Sequence, residues 1–262
     1  MKHNVTDLQK RKRQAASRPE ELALDVPAGG GNPNSPYPDF DVASDDKWAY
    51  DWDEKTRKLV LDRVRNVPPY RFFTESEAAL LEALCERALP QGIRSPQQRV
   101  PIAPWIDERL HLEQGDGYRY EDMPQDQEAY RRGLQGFDQT AQALFQKGFT
   151  QLSIDEQAKV IACVAGSVGE PPGEVWKELP ASRFFSLFMR DVISNYYAHP
   201  AAWAEIGFGG PASPRGHIRL GLGKRDPWEA EEKRPRSSVE IVRRKHEEGT
   251  RQGGQKSREA TD

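Results

Sequence analysis

Gln125-Asp126-Gln127-Glu128-Ala129-Tyr130-Arg131-Arg132-Gly133-Leu134-Gln135-Gly136-Phe137-Asp138-Gln139-Thr140-Ala141-Gln142-Ala143-Leu144-Phe145-Gln146 sets the architecture. Tyr130, Leu134, Phe137, Ala141 and Leu144-Phe145 recur at alternating steps of four and three. That spacing puts them on one side of an α-helix, and an apolar stripe of this length must be buried against other elements. Gly148 is expected just past the end of this helix.

The neighbours on both sides repeat the pattern. Upstream, Thr74-Glu75-Ser76-Glu77 is a capping box: the Thr74 hydroxyl accepts from the Glu77 N–H while the Glu77 carboxylate reaches back. Leu80, Leu81, Leu84, Cys85 and Ala88 then share one face until Pro90 and Gly92 stop the helix. A shorter helix is predicted over Ala103 to Leu112, with Ile102, Trp105, Ile106 and Leu110 inward and Pro101 or Pro104 near its start. Downstream, Ser153-Ile154-Asp155-Glu156 is a second capping box, followed by Ala158, Ile161, Val164 and Ala165 on one face. Ser182 is placed as the cap of a last long helix, Arg183 to Tyr197, which presents Phe184, Leu187-Phe188, Val192 and Tyr196 and is closed by Pro200. Arg57 to Arg65 is compatible with a short strand or one helical turn, ended by Pro68-Pro69. With no run of alternating strands, the fold class is all-α: an irregular bundle of four or five helices with long extended N- and C-terminal arms.

The composition fits a compact middle with polar ends. The chain has 262 residues, of which 36% are hydrophobic, and its mean hydropathy is strongly negative. One sizeable core with arms accounts for this better than two small domains. The 38 Lys and Arg nearly balance the 41 Asp and Glu, which argues against a nucleic-acid binder working by bulk electrostatics. Cys85 and Cys163 lie far apart in separate helical patterns and read as small buried hydrophobes. No stretch approaches the roughly 18 apolar residues of a membrane span.

Residues 1–70 read as an extended arm. Gly29 to Pro38 is dense in chain breakers, and from Tyr37 onward the rings of Tyr37, Phe40, Trp48, Tyr50 and Trp52 are interleaved with acids. So many rings imply that the arm docks, either on the chain's own body or on a partner, with the partner preferred because the arm is long. Residues 71–228 form the helical unit, and 229–262 a charged tail that is disordered or lies on a surface, with room for a short helix near Ser238 to Glu248.

Within the helical unit, Asn195-Tyr196-Tyr197-Ala198-His199-Pro200-Ala201-Ala202-Trp203-Ala204-Glu205-Ile206-Gly207-Phe208-Gly209-Gly210-Pro211-Ala212-Ser213-Pro214-Arg215-Gly216-His217 is unlike the rest. Its glycines and prolines specify a shaped loop, too irregular for a helix or central strand, and its side chains are those enriched at interfaces. Tyr196, Tyr197, His199, Trp203, Ile206, Phe208, Arg215 and His217, with Trp48 and Trp52 of the arm, are the candidate partner-binding residues.

The string YYAHPAAWAEIGFGGPASPRGH, with the helical pattern before it, resembles the gluconate 2-dehydrogenase subunit 3 family over about Phe72 to Trp228. Members are small subunits of bacterial flavin-dependent dehydrogenases whose catalytic chain is a separate glucose–methanol–choline (GMC) type oxidoreductase. The resemblance implies a non-catalytic subunit that stabilises or matures an FAD-bearing partner acting on a sugar, sugar acid or related alcohol, with a cytochrome c or another acceptor taking the electrons. It implies no cofactor or catalytic residue in this chain. Small subunits of this kind carry twin-arginine export signals, but here Lys10-Arg11-Lys12-Arg13 is followed by polar Gln14 to Glu21 with no apolar region. The expectation is therefore cytoplasmic, the alternative being periplasmic within an exported complex.

The residues themselves offer little catalytic chemistry. His3, His111, His199, His217 and His246 are dispersed, without a His-x-x-x-His pair. Gly207-Phe208-Gly209-Gly210 lacks the full dinucleotide spacing and follows a helix instead of a strand. Gly221-Leu222-Gly223-Lys224 has Ile218 where a P-loop needs its first glycine and Arg225 where it needs Ser or Thr. The competing readings are a stand-alone enzyme built on His199, His217 and Arg215, and an export escort for the catalytic subunit.

Overall fold

A computed structural model describes residues 37, 52–92, 94, 99–115 and 117–211. Those residues contain seven α-helices and no strand: α1 (Glu54–Arg65), α2 (Glu75–Ala88), α3 (Ile102–His111), α4 (Asp126–Phe145), α5 (Ile154–Val164), α6 (Ala181–Tyr197) and α7 (Pro200–Ile206). Two short 3-10 turns, Phe149–Gln151 and Glu174–Lys177, lie between α4 and α5 and between α5 and α6. The five helices read from periodicity are α2 to α6, so the all-α class stands, with α1 and α7 added. Most of the arm, the charged tail and its possible helix lie outside the described residues.

Both capping boxes form, at Thr74 on α2 and Ser153 on α5. Elsewhere the ends differ from expectation. α4 is closed by Gln146 in the left-handed region (φ 58°), while Gly148 has an ordinary φ of −66° and leads into the 3-10 turn. α6 begins at Ala181 behind Pro180, so Ser182 lies inside the helix and does not cap it. The alternation at 59–64 resolves as a helix because Asp53, upstream of it, accepts the Thr56 N–H at 2.7 Å and starts the turn five residues early.

α4 is the central element, packed against α2, α5, α6 and both 3-10 turns. Its stripe is closed by rings. Tyr130 meets Phe184 edge-on at 5.5 Å, and Phe137 stands 6.0 to 6.5 Å from Phe149, Trp176, Phe184 and Phe188. Two glycines on α4 admit these rings: a Cβ on Gly133 would fall within the Phe184 ring, and one on Gly136 against the Trp176 indole. Trp176 is further fixed by its Nε1–H, which donates to Thr140 Oγ1 at 2.9 Å.

Two buried carboxylates stitch this bundle to its surroundings. Asp107 on α3 is fully buried and accepts successive backbone N–H groups of Arg71 (2.7 Å), Phe72 (3.1 Å) and Phe73 (2.8 Å), which seats the segment between α1 and α2. Asp191 on α6 accepts at 2.6 Å from both Tyr130 Oη and Arg109 Nη2, and Arg109 Nη1 donates to Asp126 at 2.6 Å, tying α3, α4 and α6 together.

Candidate functional site

The stretch that stands out in the sequence begins at the end of α6. Tyr197 is its last helical residue, and Arg63 of α1 donates to the carbonyl of Ala198 at 3.2 Å. His199 then starts a new helix: its Nδ1 accepts the Ala201 N–H at 3.2 Å, and Pro200 occupies the first helical position, where a missing N–H costs nothing. Seven residues of what reads as irregular loop are thus helical, and Gly207 ends them in the left-handed conformation (φ 68°).

His199 is buried between Arg94 and Arg63. Burial first, and then those two positive charges, push its pKa down to about 4, so the ring is neutral at physiological pH and serves as a helix cap. Arg94 is also buried. Its Nη2 donates to Glu205 at 2.6 Å and to the Ala201 carbonyl at 3.1 Å, while Tyr196 Oη donates to the other Glu205 oxygen at 2.6 Å. Burial holds the Tyr196 phenol up to about 12, protonated and able to donate. This network joins α7 to α6 through a residue far upstream of both.

Rings complete the motif. Trp203, only 7% exposed, donates its Nε1–H to the Tyr197 carbonyl at 2.7 Å, and Phe208 stands edge-on to its indole at 5.3 Å. Trp52, 3% exposed, donates its Nε1–H to the Pro211 carbonyl at 3.0 Å. Gly210 (φ 79°) lies between the two indoles: a Cβ there would be 3.0 Å from Trp52 Cη2 and 3.2 Å from Trp203 Cζ3. Tyr37 covers Gly207 in the same way, its Cζ 2.7 Å from where a Cβ would be. Both glycines therefore serve twice, for a positive φ and for the approach of a ring.

The ten sequence-derived candidates accordingly divide. Tyr196, His199, Trp203 and Trp52 turn inward and shape the motif. Of the arm's aromatic residues, Trp52 lies against the chain's own Gly210 and Pro211. Tyr197 (44% exposed), Ile206 (50%) and Phe208 (45%) remain on the surface, with Ile193 one turn before Tyr197 on α6. Trp48, Arg215 and His217 lie outside the described residues, and with them the His199, His217 and Arg215 constellation. Sequence reasoning missed Arg94, Glu205 and the Arg109, Asp126 and Asp191 cluster. Nothing short-range marks them, because the partners are 111 residues apart in one case and 82 in another.

Other chemistry is thin. A cleft of about 670 Å³ runs beside the loop after α3, lined by groups such as Arg109, Glu113, Tyr118, Arg119 and Asp126, with no histidine or cysteine. Arg109 there is already held by two carboxylates. Among the described residues, no three His, Cys, Asp or Glu gather as a metal set, and no helix is long and apolar enough to cross a membrane.

The family model for gluconate 2-dehydrogenase subunit 3 matches residues 75–210, just over half of the chain. The chain belongs to this family. Membership makes it a subunit of a dehydrogenase complex. The matched span of the subunit 3 fold opens on the first residue of α2 and closes on Gly210, so it contains the motif as far as Gly210 but leaves out Pro211, α1, Trp52 and Tyr37. No curated protein and no solved structure matches the chain.

Proposed function

We propose that this protein is the non-catalytic small subunit that binds, and stabilises or matures, a GMC-type FAD-dependent catalytic subunit acting on a sugar, sugar acid or related alcohol. The FAD and the redox chemistry reside in that partner, electrons pass from it to a cytochrome c or another acceptor, and the complex is cytoplasmic. The observation that carries the reading is the motif within the family span: a rigid, hydrogen-bonded frame that leaves Tyr197, Ile206 and Phe208 outward. Aromatic and large apolar groups presented on a hydrogen-bonded backbone frame suit protein docking. His199 speaks against a stand-alone enzyme, since its Nδ1 accepts the Ala201 N–H and its ring is enclosed.

The test is co-expression of the tagged chain with a GMC-type flavoprotein, followed by an absorption spectrum of the purified material. A flavin band that co-purifies with the wild-type chain and is lost with Phe208→Asp, at unchanged helicity, supports the proposal. Sugar or alcohol oxidation by the isolated chain without a flavoprotein would overturn it.

A further inference from the structure

Trp52 and Tyr37 precede the family span, yet they sit on the two positive-φ glycines of the motif inside it. α1 adds to the same contact: it packs on α7, and Arg63 holds the Ala198 carbonyl at the α6–α7 junction. The Trp52 indole also shares Gly210 with Trp203, which meets Phe208 edge-on. Trp52, Gly210, Trp203 and Phe208 thus form one chain of contacts that ends at an exposed ring of the candidate docking face.

We infer that α1 and the Trp52 just before it form a clasp supplied in cis: Trp52, assisted by Tyr37 and Arg63, holds the Gly207–Pro211 turn in the shape that presents Tyr197, Ile206 and Phe208. Trp52 and α1, which the family match leaves out, thus shape the docking face before any partner arrives. Trp52 is a positioning residue, since it is buried and acts on a partner only through Trp203 and the turn. Reduced to the helical unit alone, the chain keeps its aromatic core around α4 but loses the fixed geometry of 199–211.

The decisive measurement is amide hydrogen exchange on the isolated full chain, so it stands or fails apart from the proposed function. In Trp52→Ala the Phe208 N–H, which donates to the Trp203 carbonyl at 3.0 Å, should exchange roughly a hundredfold faster or more, the scale set by truncating a buried indole. Amides of α4 around Leu134 and Phe137 should keep their protection. Trp52→Phe, which retains a ring but not the N–H to Pro211, should restore most of the protection, and Leu59→Ala on the exposed side of α1 should leave it unchanged. A second arm rests on the proposed function: Trp52→Ala should weaken flavoprotein capture while the bundle stays folded. Unchanged exchange over 199–211 in Trp52→Ala would overturn the inference. So would loss of protection in α4 to the same extent, which would make Trp52 an ordinary core residue.

Discussion

Gly133→Ala gives two opposite signs, depending on whether the helix or the packing decides. In the interior of α4, replacing glycine with alanine should stabilise the helix by about 1 kcal/mol through propensity alone. The structure opposes this, because the new methyl would lie 2.5 Å from Phe184 Cε2 and closer still to two other ring atoms. Phe184 has no exposed surface and is hemmed in by Tyr130 at 5.5 Å and by Phe137 and Trp176 at 6.3 Å, so it cannot step aside. Overpacking of this kind costs roughly 1–3 kcal/mol, with the upper end apt for a caged ring. The net expectation is destabilisation by about 1–2 kcal/mol. Urea unfolding followed by far-UV circular dichroism should show a lower midpoint at unchanged slope. Adding Phe184→Leu should recover part of the loss, giving a coupling of about 1 kcal/mol. Gly92→Ala, where nothing lies within 4 Å of the new methyl, should stay within about 0.5 kcal/mol of wild type. A Gly133→Ala midpoint equal to or above that of wild type would refute the close-approach argument.

His199 predicts a stability slope in acid. Its folded pKa of about 4 lies below the free value of 6.5, so the unfolded state takes up the proton first. Stability is full above pH 6.5 and falls by about 3 kcal/mol on the way down to pH 4. His199→Gln should remove that slope, and comparing it with wild type isolates it from Asp191, whose carboxyl burial raises and whose pH dependence therefore has the opposite sign. Arg94→Ala should cost about 3–5 kcal/mol in thermal or urea unfolding, because it removes a buried guanidinium that pairs with the part-buried Glu205 carboxylate at 2.6 Å. Arg94→Ala combined with Glu205→Ala should cost less than the two single changes added together.

Much of the bundle is written in short-range signals. Thr74 and Ser153 each sit three residues before a glutamate, and both boxes close as that spacing requires. The motif after α6 was harder to read because its signals have two meanings. Pro200 reads as a terminator, and α6 does stop before it, but a proline at the first position with a glycine seven residues on also describes a short helix. Glycine inside a helix lowers its stability by propensity alone, and only the positions of Phe184 and Trp176 show Gly133 and Gly136 to be contact points. Candidate residues were legible by type but not by direction. Trp203 and Phe208 are alike as aromatic residues of one glycine-rich stretch, and which one faces water depends on Trp52, about 150 residues earlier in sequence.

The Asp107 junction has a practical meaning. It fastens the N-terminal segment with three neutral amides, and among the described residues no lysine or arginine forms an ion pair with it. Salt screens exposed charges and has little to act on in an enclosed carboxylate bonded to peptide groups. A wash at high ionic strength should therefore leave residues 71–73 seated on α3.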